Sequence, residues 1–256
     1  KNKDIKVLLL KGFALSIITT EDLYFRGKGD LDLLIDKKDL PKAICLIRSM
    51  DYEIYKNCLP RDLNSLQGKY CKLVTNEITF FKKVNNQVYW IDLHWRLTNL
   101  FGGLPNFETL WNEKIELNMN KLRFFSLNSK NSFIYSCANS AKDRWMNMRH
   151  LLDTYRLSLL IDSQNLNFTL KNKFIFMSCY AALELTGSVN LKKYIKTNKF
   201  YLNYVKNVSL DSQALQKKYI KNSSKSIRKK LSLTLHNFII SDSLKDLIVS
   251  LLNFLV

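Results

Sequence analysis

Two carboxylates stand one residue apart in the stretch Phe25-Arg26-Gly27-Lys28-Gly29-Asp30-Leu31-Asp32-Leu33-Leu34-Ile35, where they open an apolar run. Residues i and i+2 of a β-strand point to the same face, so Asp30 and Asp32 would project together, with most of the apolar side chains on the opposite face. Two like charges side by side cost free energy unless a cation neutralises them. Because Mg²⁺ prefers hard oxygen ligands, the stretch predicts a strand that carries a site for a magnesium-type ion.

A strand, a sharp turn and a helix are predicted before this stretch. Residues 5–10 form a compact apolar run, Lys11-Gly12 supplies the exit, and apolar residues continue from Phe13 at helical spacing. A helix that begins at such a turn presents backbone N–H groups to an anion. The order of these elements therefore indicates an anion site close to the two carboxylates.

A third carboxylate, Asp92, lies in the segment that most clearly predicts a strand, residues 87–97. One face of this segment is wholly apolar, whereas the other face turns polar at Asp92, His94 and Arg96, so that end should border a cleft. Two carboxylates on one strand and a third on another are what a two-metal phosphoryl-transfer site needs, with ions roughly 3.5–4 Å apart.

The other elements are of mixed type early in the chain and helical later. Asp39 as N-cap and Pro41 in the first turn predict a helix over residues 40–50, and Asn85-Asn86 predicts a hairpin turn. Further strands are expected over residues 52–55, 70–74 and 78–83. Beyond about residue 125 the pattern predicts helices only, over residues 131–142, 146–161 and 170–185, with further helices between 191 and 256.

Three blocks of the sequence resemble a known family: Leu9-Leu10-Lys11-Gly12, Asp30-Leu31-Asp32-Leu33-Leu34-Ile35 and Ile91-Asp92-Leu93-His94-Trp95. They look like the L-K-G, D-x-D-L-L-V and I-D-L-H-W blocks of a poorly characterised bacterial nucleotidyltransferase family within the DNA polymerase beta-like superfamily. The resemblance covers residues 5–97 and continues in a helical region up to Asp153. It implies an α+β fold, with a polymerase beta-like catalytic domain over residues 1–122 and an all-helical domain over residues 123–256.

The resemblance also implies roles for individual residues. Asp30 and Asp32 would bind two Mg²⁺ ions, with Mn²⁺ as an alternative, and Asp92 would complete the metal site and accept the acceptor's proton. Lys11 and the N–H groups after Gly12 would hold the triphosphate. An alternative for Lys11 is a surface lysine with an extended side chain.

Five further residues have a functional and a structural interpretation. Arg26 would reach a phosphate bidentately or form an ion pair with one of the two neighbouring aspartates. His94 would hydrogen-bond a metal-bound carboxylate or be a packed histidine. Trp145 and Arg149, with Asp153, share one helical face, which would line the nucleotide cleft, with Trp145 stacking on a base, or would be an interdomain packing face.

Composition restricts the class of protein. The chain has 256 residues, 46% of them hydrophobic, with 7 Gly and 3 Pro, which supports a folded core and argues against disorder. Five scattered cysteines form no C-x-x-C pair, which argues against a thiolate zinc site. Without a predicted membrane span or signal peptide, we expect a cytoplasmic, reduced protein.

The net charge of +18 favours an anionic partner. From Lys192 to Lys230 there are twelve basic residues and one acid, Asp211. This basic stretch is either a set of solvated helix faces or a surface for a nucleic-acid backbone.

Together these features predict a metal-dependent nucleotidyltransferase of the EC 2.7.7 type. It would move a nucleoside monophosphate from an NTP, with ATP the expected donor, to an acceptor and release pyrophosphate. The acceptor is left open among a small molecule, a protein and an RNA end. Two alternatives remain: a toxin-like enzyme that modifies tRNA, and an inactive module that binds nucleic acid or an acidic partner.

Overall fold

The computed structural model describes residues 5–20, 29–55, 65–98, 104–119, 122–162, 172–187, 191, 199–208, 234–237, 239–241 and 248. The chain divides into two compact units, one of residues 1–99 and 105–128 and the other of residues 100–104 and 129–256. Among the described residues, no helix has both the length and the apolar character that a membrane crossing requires.

The first unit begins with the predicted strand, turn and helix. Strand β1 is Val7–Leu9 and helix α1 is Phe13–Thr20. Between them Gly12 adopts a φ of 60°, a left-handed conformation that L side chains rarely take. The turn lies close to the next strand, because a Cβ built on Gly12 would be 3.7 Å from the backbone oxygen of Asp30.

The carboxylate stretch forms strand β2, Leu31–Ile35. Asp30 precedes the strand rather than belonging to it, and it is exposed. Strand β2 runs antiparallel to β1, with Leu9 opposite Leu33. Side chains of β2 face two environments: Ile35 is buried in the main apolar cluster, and Asp32 points to the opposite face of the sheet, where it is 5% exposed.

A hairpin forms strands β4 and β5, as predicted. Strand β4, Glu77–Val84, pairs antiparallel with β5, Gln87–His94. Asn85 and Asn86 form the turn with φ values of 47° and 63°, which asparagine tolerates better than most residues. A two-residue turn fixes the register of the two strands, so it determines which residues pair along the hairpin.

Within the part of the chain that the structure describes, seven strands form one mixed sheet in the order β3-β4-β5-β2-β1-β7-β6. The remaining strands are β3 (Glu53–Ile54), β6 (Ile115–Met119) and β7 (Leu122–Ser126). Strand β2 is parallel to β5 and β1 is parallel to β7, whereas the other neighbours are antiparallel. The sequence patterns did not predict β6 and β7, and β7 crosses the predicted domain division at residues 122 and 123.

Helix α2, Leu40–Arg48, packs on the apolar face of the sheet. Its buried residues contact side chains of β2, β4 and β5, among which Phe80 is fully buried and Leu93 is 1% exposed. Asp39 is the N-cap and Pro41 lies in the first turn, as predicted, but the Asp39 side chain makes no capping bond. Asp36 instead accepts from Lys38 N at 3.0 Å, in the 3-10 turn Lys37–Asp39.

Two predictions for residues 66–97 are wrong. Residues 70–74 are not a strand but the end of helix α3, Leu66–Val74, because Ser65 caps it by accepting from Gly68 N at 3.0 Å. Strand β5 stops at His94, so Arg96 does not continue its polar face. The Arg96 guanidinium instead donates to carbonyls at the end of α3, with Leu73 O at 2.8 Å and Thr75 O at 2.7 Å.

The second unit is helical in its described part. Helix α4, Phe107–Asn112, still belongs to the first unit; α5 (Ser129–Lys142), α6 (Met148–Ser158) and α7 (Lys173–Thr186) belong to the second. These three helices correspond to the three predicted over residues 131–185. Residues 199–208 and 234–237 are also helical, and most of the stretch from Lys192 to Lys230 lies outside the described residues. The α+β fold class is confirmed, with a mixed sheet and helices followed by a helical part.

Candidate active site

The site begins with two aspartates on neighbouring strands. Asp32 of β2 and Asp92 of β5 are direct partners in the parallel register. Partners in a parallel pair point to the same face, and adjacent strands lie about 4.8 Å apart, so the two carboxylates are neighbours on one face of the sheet. Two aspartates far apart in sequence therefore meet because β2 and β5 pair.

Asp32 is buried and is held by two donors. Its Oδ1 lies 2.9 Å from Lys11 Nζ and 3.1 Å from His94 Nε2. Burial would raise the pKa of Asp32, but the hydrogen bond from His94 and the charge of Lys11 outweigh it and leave the pKa below its usual value. Asp32 is therefore a carboxylate whose charge an internal cation already balances.

His94 is oriented from both sides of its ring. Because a carboxylate only accepts, Nε2 donates to Asp32, while Nδ1 lies 3.2 Å from Asn76 Nδ2 and 3.1 Å from Glu77 Oε2. Asn76 also donates to Glu77 at 3.0 Å. The ring is 1% exposed, so His94 is both packed and hydrogen-bonded to a site carboxylate.

Asp92 has the opposite electrostatic balance. Burial raises its pKa, and the charges of Asp32 and Glu77 add to this, against a hydrogen bond from Thr79 that lowers it. That bond joins Thr79 Oγ1 to Asp92 Oδ1 at 2.6 Å. The net effect raises the pKa of Asp92 above the ordinary aspartate value, which makes Asp92 the better proton acceptor of the pair.

The turn at Gly12 places a lysine and the start of a helix beside Asp32. Lys11 brings its ammonium group to Asp32, and helix α1 starts directly after the turn, with Ser16 N bonded to Gly12 O at 3.1 Å. The N–H groups of a first helical turn lack partners within the helix and attract anions. Lys11 is 21% exposed, so it is half-buried rather than a freely extended surface lysine.

The donor set fits a divalent cation in part. Asp32 and Asp92 offer neighbouring hard oxygen ligands whose mutual repulsion a cation would relieve. Asp30 is exposed, and its carboxylate makes no hydrogen bond or ion pair with a described residue. Within the described ranges, no three His, Cys, Asp or Glu side chains are grouped closely enough to hold a metal ion, so the three-carboxylate metal site stays a prediction.

The other predicted residues lie elsewhere or outside the described residues. Arg26 and most of the basic stretch fall outside them. Trp145 precedes α6 instead of sharing a helical face with Arg149, because Arg144 and Trp145 both adopt a φ of 56° and end the preceding helix. Trp145 is 2% exposed and donates to Ser178 of the same unit at 3.0 Å, while Arg149 is exposed.

Three residues around the site were not singled out from the sequence. Asn76 directly precedes β4, and Glu77 and Thr79 lie at its start; all three contact His94 or Asp92 on β5. A signal for two of them existed, because counting back from the Asn85-Asn86 turn places Thr79 opposite Asp92 and Glu77 opposite His94. The hairpin thus contributes a carboxylate on one strand and its hydrogen-bond partner on the other.

A pair of neighbouring carboxylates, one buried and one half-buried, with a lysine and a helix start next to a glycine turn, is typical of proteins that transfer phosphoryl-type groups. Residues 1–188 match the model of a family described as "Uncharacterised nucleotidyltransferase", which is more than half of the chain. The chain therefore belongs to this nucleotidyltransferase family.

Two other comparisons add little to this assignment. A solved structure, described as an antigenic nucleotidyltransferase-like protein from Paracoccidioides brasiliensis, is similar with 13% sequence identity over 76% of this chain and 87% of that chain. Its TM-score is 0.43, a similarity that carries no weight for fold or function here. No curated protein matches the chain.

Proposed function

We propose that the protein is a Mg²⁺-dependent enzyme that transfers a nucleoside monophosphate from an NTP, with ATP the expected donor, to an acceptor hydroxyl. The observation that carries this proposal is the in-register pair of Asp32 and Asp92 on one sheet face, with Lys11 bound to Asp32. Family membership supports the reaction class. Family membership does not specify the metal ion, the nucleotide donor or the acceptor, and these belong to the proposal.

The residues divide the reaction between them. The acceptor oxygen attacks the α-phosphorus, the bond from that phosphorus to the β-phosphate oxygen breaks, and pyrophosphate leaves with the bond's electrons. Asp92 takes the acceptor's proton, and Lys11 with the N–H groups after Gly12 binds the triphosphate oxygens. Asp32 and Asp92, with Asp30 as the additional ligand, would hold Mg²⁺, which neutralises charge on the transferred group when bound.

The experiment measures transfer of label from [α-³²P]ATP to candidate acceptors with Mg²⁺, for wild type, Asp32→Asn and Asp92→Asn. Each variant should lose about 100-fold or more in rate, since each removes a charge that acts on the reacting atoms. Asp51→Asn is the matched control, because Asp51 is an exposed aspartate of the same unit. Label transfer by Asp32→Asn at the wild-type rate would contradict the site assignment.

The basic stretch from Lys192 to Lys230 supports tRNA as a specific acceptor and the toxin-like alternative. Expression of such an enzyme in a host should inhibit growth, and Asp32→Asn should abolish the inhibition. An inactive binding module is the weaker alternative, since such a module does not need a buried aspartate that is paired with a lysine and lies beside a second carboxylate. Calorimetry distinguishes an enzyme from an inactive module: Mg²⁺-dependent ATP binding supports the enzyme, and RNA binding without ATP binding supports the module.

A further inference from the structure

Three aromatic rings meet on the sheet face that carries Asp92. The centroids of Tyr55 and Trp90 are 5.2 Å apart with an interplanar angle of 86°, and those of Phe81 and Trp90 are 5.7 Å apart at 39°. Tyr55 and Phe81 complete the group at 6.2 Å and 87°. We call these three residues the aromatic platform.

The register of the hairpin places the platform directly beside Asp92, the proposed general base. Thr79 pairs with Asp92, and the next pair on the same face is Phe81 with Trp90. Residues i and i+2 of a strand are about 7 Å apart, so Trp90 is within reach of a group that contacts Asp92. Lys83 follows Phe81 on this face and is exposed.

The aromatic platform is partly exposed to solvent. Tyr55 is 42% exposed, and Phe81 and Trp90 are half-buried, whereas Phe80 on the opposite face is fully buried. The perpendicular rings of Tyr55 and Trp90 form a corner in which a flat group can stack on one ring and meet the edge of the other. A planar aromatic ligand therefore suits this surface better than an aliphatic one.

The order of strands assigns the platform to one side of the reaction. Lys11 follows β1, Asp32 is on β2, Asp92 is on β5 and Phe81 is on β4, and these strands are neighbours in that order. The triphosphate end and the platform thus lie on opposite sides of the carboxylate pair. An in-line displacement needs the attacking and leaving groups on opposite sides of the phosphorus, so the platform lies on the side of the attacking acceptor.

We propose that the aromatic platform is the acceptor subsite and that it stacks an unpaired nucleobase of an RNA acceptor. This inference rests on the proposed function, because Asp92 must be the base for the acceptor side to be defined. Every base has a flat face that can stack on an aromatic side chain, whatever the nucleotide sequence. Lys83 beside the platform and the net charge of +18 favour the phosphates that a nucleic acid brings with its bases.

The test measures binding of a fluorescent single-stranded RNA hexamer by anisotropy, without ATP or Mg²⁺. Trp90→Leu should weaken binding at least about tenfold, and Tyr55→Leu should weaken it in the same direction with less risk to the fold, since Tyr55 is the more exposed ring. Trp111→Leu is the matched control, because Trp111 is a half-buried tryptophan of the same unit that packs with Phe125 and Lys114 instead. Its RNA affinity should equal that of wild type.

Calorimetry with ATP and Mg²⁺ on the same variants completes the design. Unchanged ATP affinity in Trp90→Leu and Tyr55→Leu supports an acceptor subsite, whereas an equal loss of ATP affinity would assign the platform to the donor base and overturn the proposal. The proposal would also be overturned if both variants bound RNA with wild-type affinity. It would be overturned as well if the wild-type protein bound a tyrosine-containing peptide more tightly than RNA. Because the RNA measurement uses no ATP and no metal, a failure of the proposed catalytic function would show separately, in Asp32→Asn.

Discussion

At Asp32, burial and pairing act on the pKa in opposite directions, and pairing dominates. Lys11 and His94 share one oxygen of this carboxylate, at 2.9 Å and 3.1 Å. Without these partners, Asp32 would carry an unbalanced charge at a position that is nearly closed to water. Lys11 therefore balances the charge of Asp32.

Removal of Lys11 should change metal and nucleotide affinity in opposite directions. Lys11→Met leaves Asp32 without its competing cation, so Mn²⁺ affinity without nucleotide should rise by about tenfold, while ATP affinity should fall. Calorimetric titrations measure both. Lys38→Met is the control, because Lys38 pairs with the partly exposed Asp36 away from the site. A Mn²⁺ affinity that Lys11→Met leaves unchanged would show that Lys11 and the metal do not compete.

His236 is a buried titratable residue of the helical unit. Its Nε2 donates to Ala141 O at 2.6 Å, and because that carbonyl only accepts, Nδ1 is the acceptor for Tyr204 OH at 2.8 Å. Burial lowers the pKa of His236 to about 4, from an ordinary value of 6.5. The folded protein therefore keeps this ring neutral in a pH range where the unfolded chain protonates it.

The free energy of unfolding should fall as the pH decreases from about 6.5 to about 4. Above this range the ring is neutral in both states; within it the unfolded chain binds the extra proton, which costs the folded state about 3 kcal/mol over the whole range. Urea unfolding at several pH values measures the slope. His236→Gln should be less stable at pH 7 but should have a shallower slope, and equal slopes would refute this role.

At the scale of elements, the β1–turn–α1 unit depends on Gly12. The left-handed φ at this position is disfavoured for every residue with a side chain, whereas space is not limiting, since the nearest atom to a new Cβ is at 3.7 Å. Gly29 provides the comparison, because no atom lies within 4 Å of a Cβ built there and its φ is outside the left-handed region. The two glycines flank the same site but have different backbone requirements.

Gly12→Ala should destabilise the protein by about 1 kcal/mol, and Gly29→Ala should be neutral or slightly stabilising. The backbone strain at residue 12 also shifts the N–H groups that would face the triphosphate, so ATP affinity should fall in Gly12→Ala only. Urea unfolding and calorimetry measure the two effects. Equal stability of the two variants would mean that the φ of Gly12 adapts without cost.

Local sequence signals predicted elements well where one signal dominated. The Asn85-Asn86 turn and the alternating residues around Asp92 identified β4 and β5, because a two-residue turn and a period of two have few other solutions. The prediction was wrong where two local signals favoured different structures. Residues 70–74 have strand-forming side chains, but the cap at Ser65 and the carbonyl contacts of Arg96 stabilise a helix there.

At the scale of the whole molecule, charge is unevenly distributed along the chain. The stretch from Lys192 to Lys230 carries twelve of the forty basic residues and one acid. Lys206, one of its described members, forms an ion pair with Glu184 at 3.5 Å. If this stretch contacts RNA phosphates, binding should release counterions in proportion to the number of contacts.

We expect a lower salt dependence of RNA binding when four of these residues are replaced by glutamine. The four residues are Lys225, Arg228, Lys229 and Lys230. The slope of log K against log salt should decrease in magnitude by about 3, since each phosphate contact contributes about 0.7 for single strands. The control replaces Lys37, Lys38, Lys42 and Arg48, which changes the net charge equally. The same decrease in both proteins would indicate a general charge effect rather than a binding surface.

The sequence by itself determined the local elements of the site: the strand with Asp32, the turn at Gly12 with the helix after it, and the hairpin that carries Asp92. These follow from backbone sterics and from the periodicity of apolar residues, which act over a few neighbours. Only the tertiary structure decided that β2 pairs with β5 in a register that puts Asp32 beside Asp92, that Lys11 binds Asp32, and that Tyr55 joins Phe81 and Trp90. Strand order depends on the burial of apolar surface summed over the whole sheet, so no short segment of the sequence contains it.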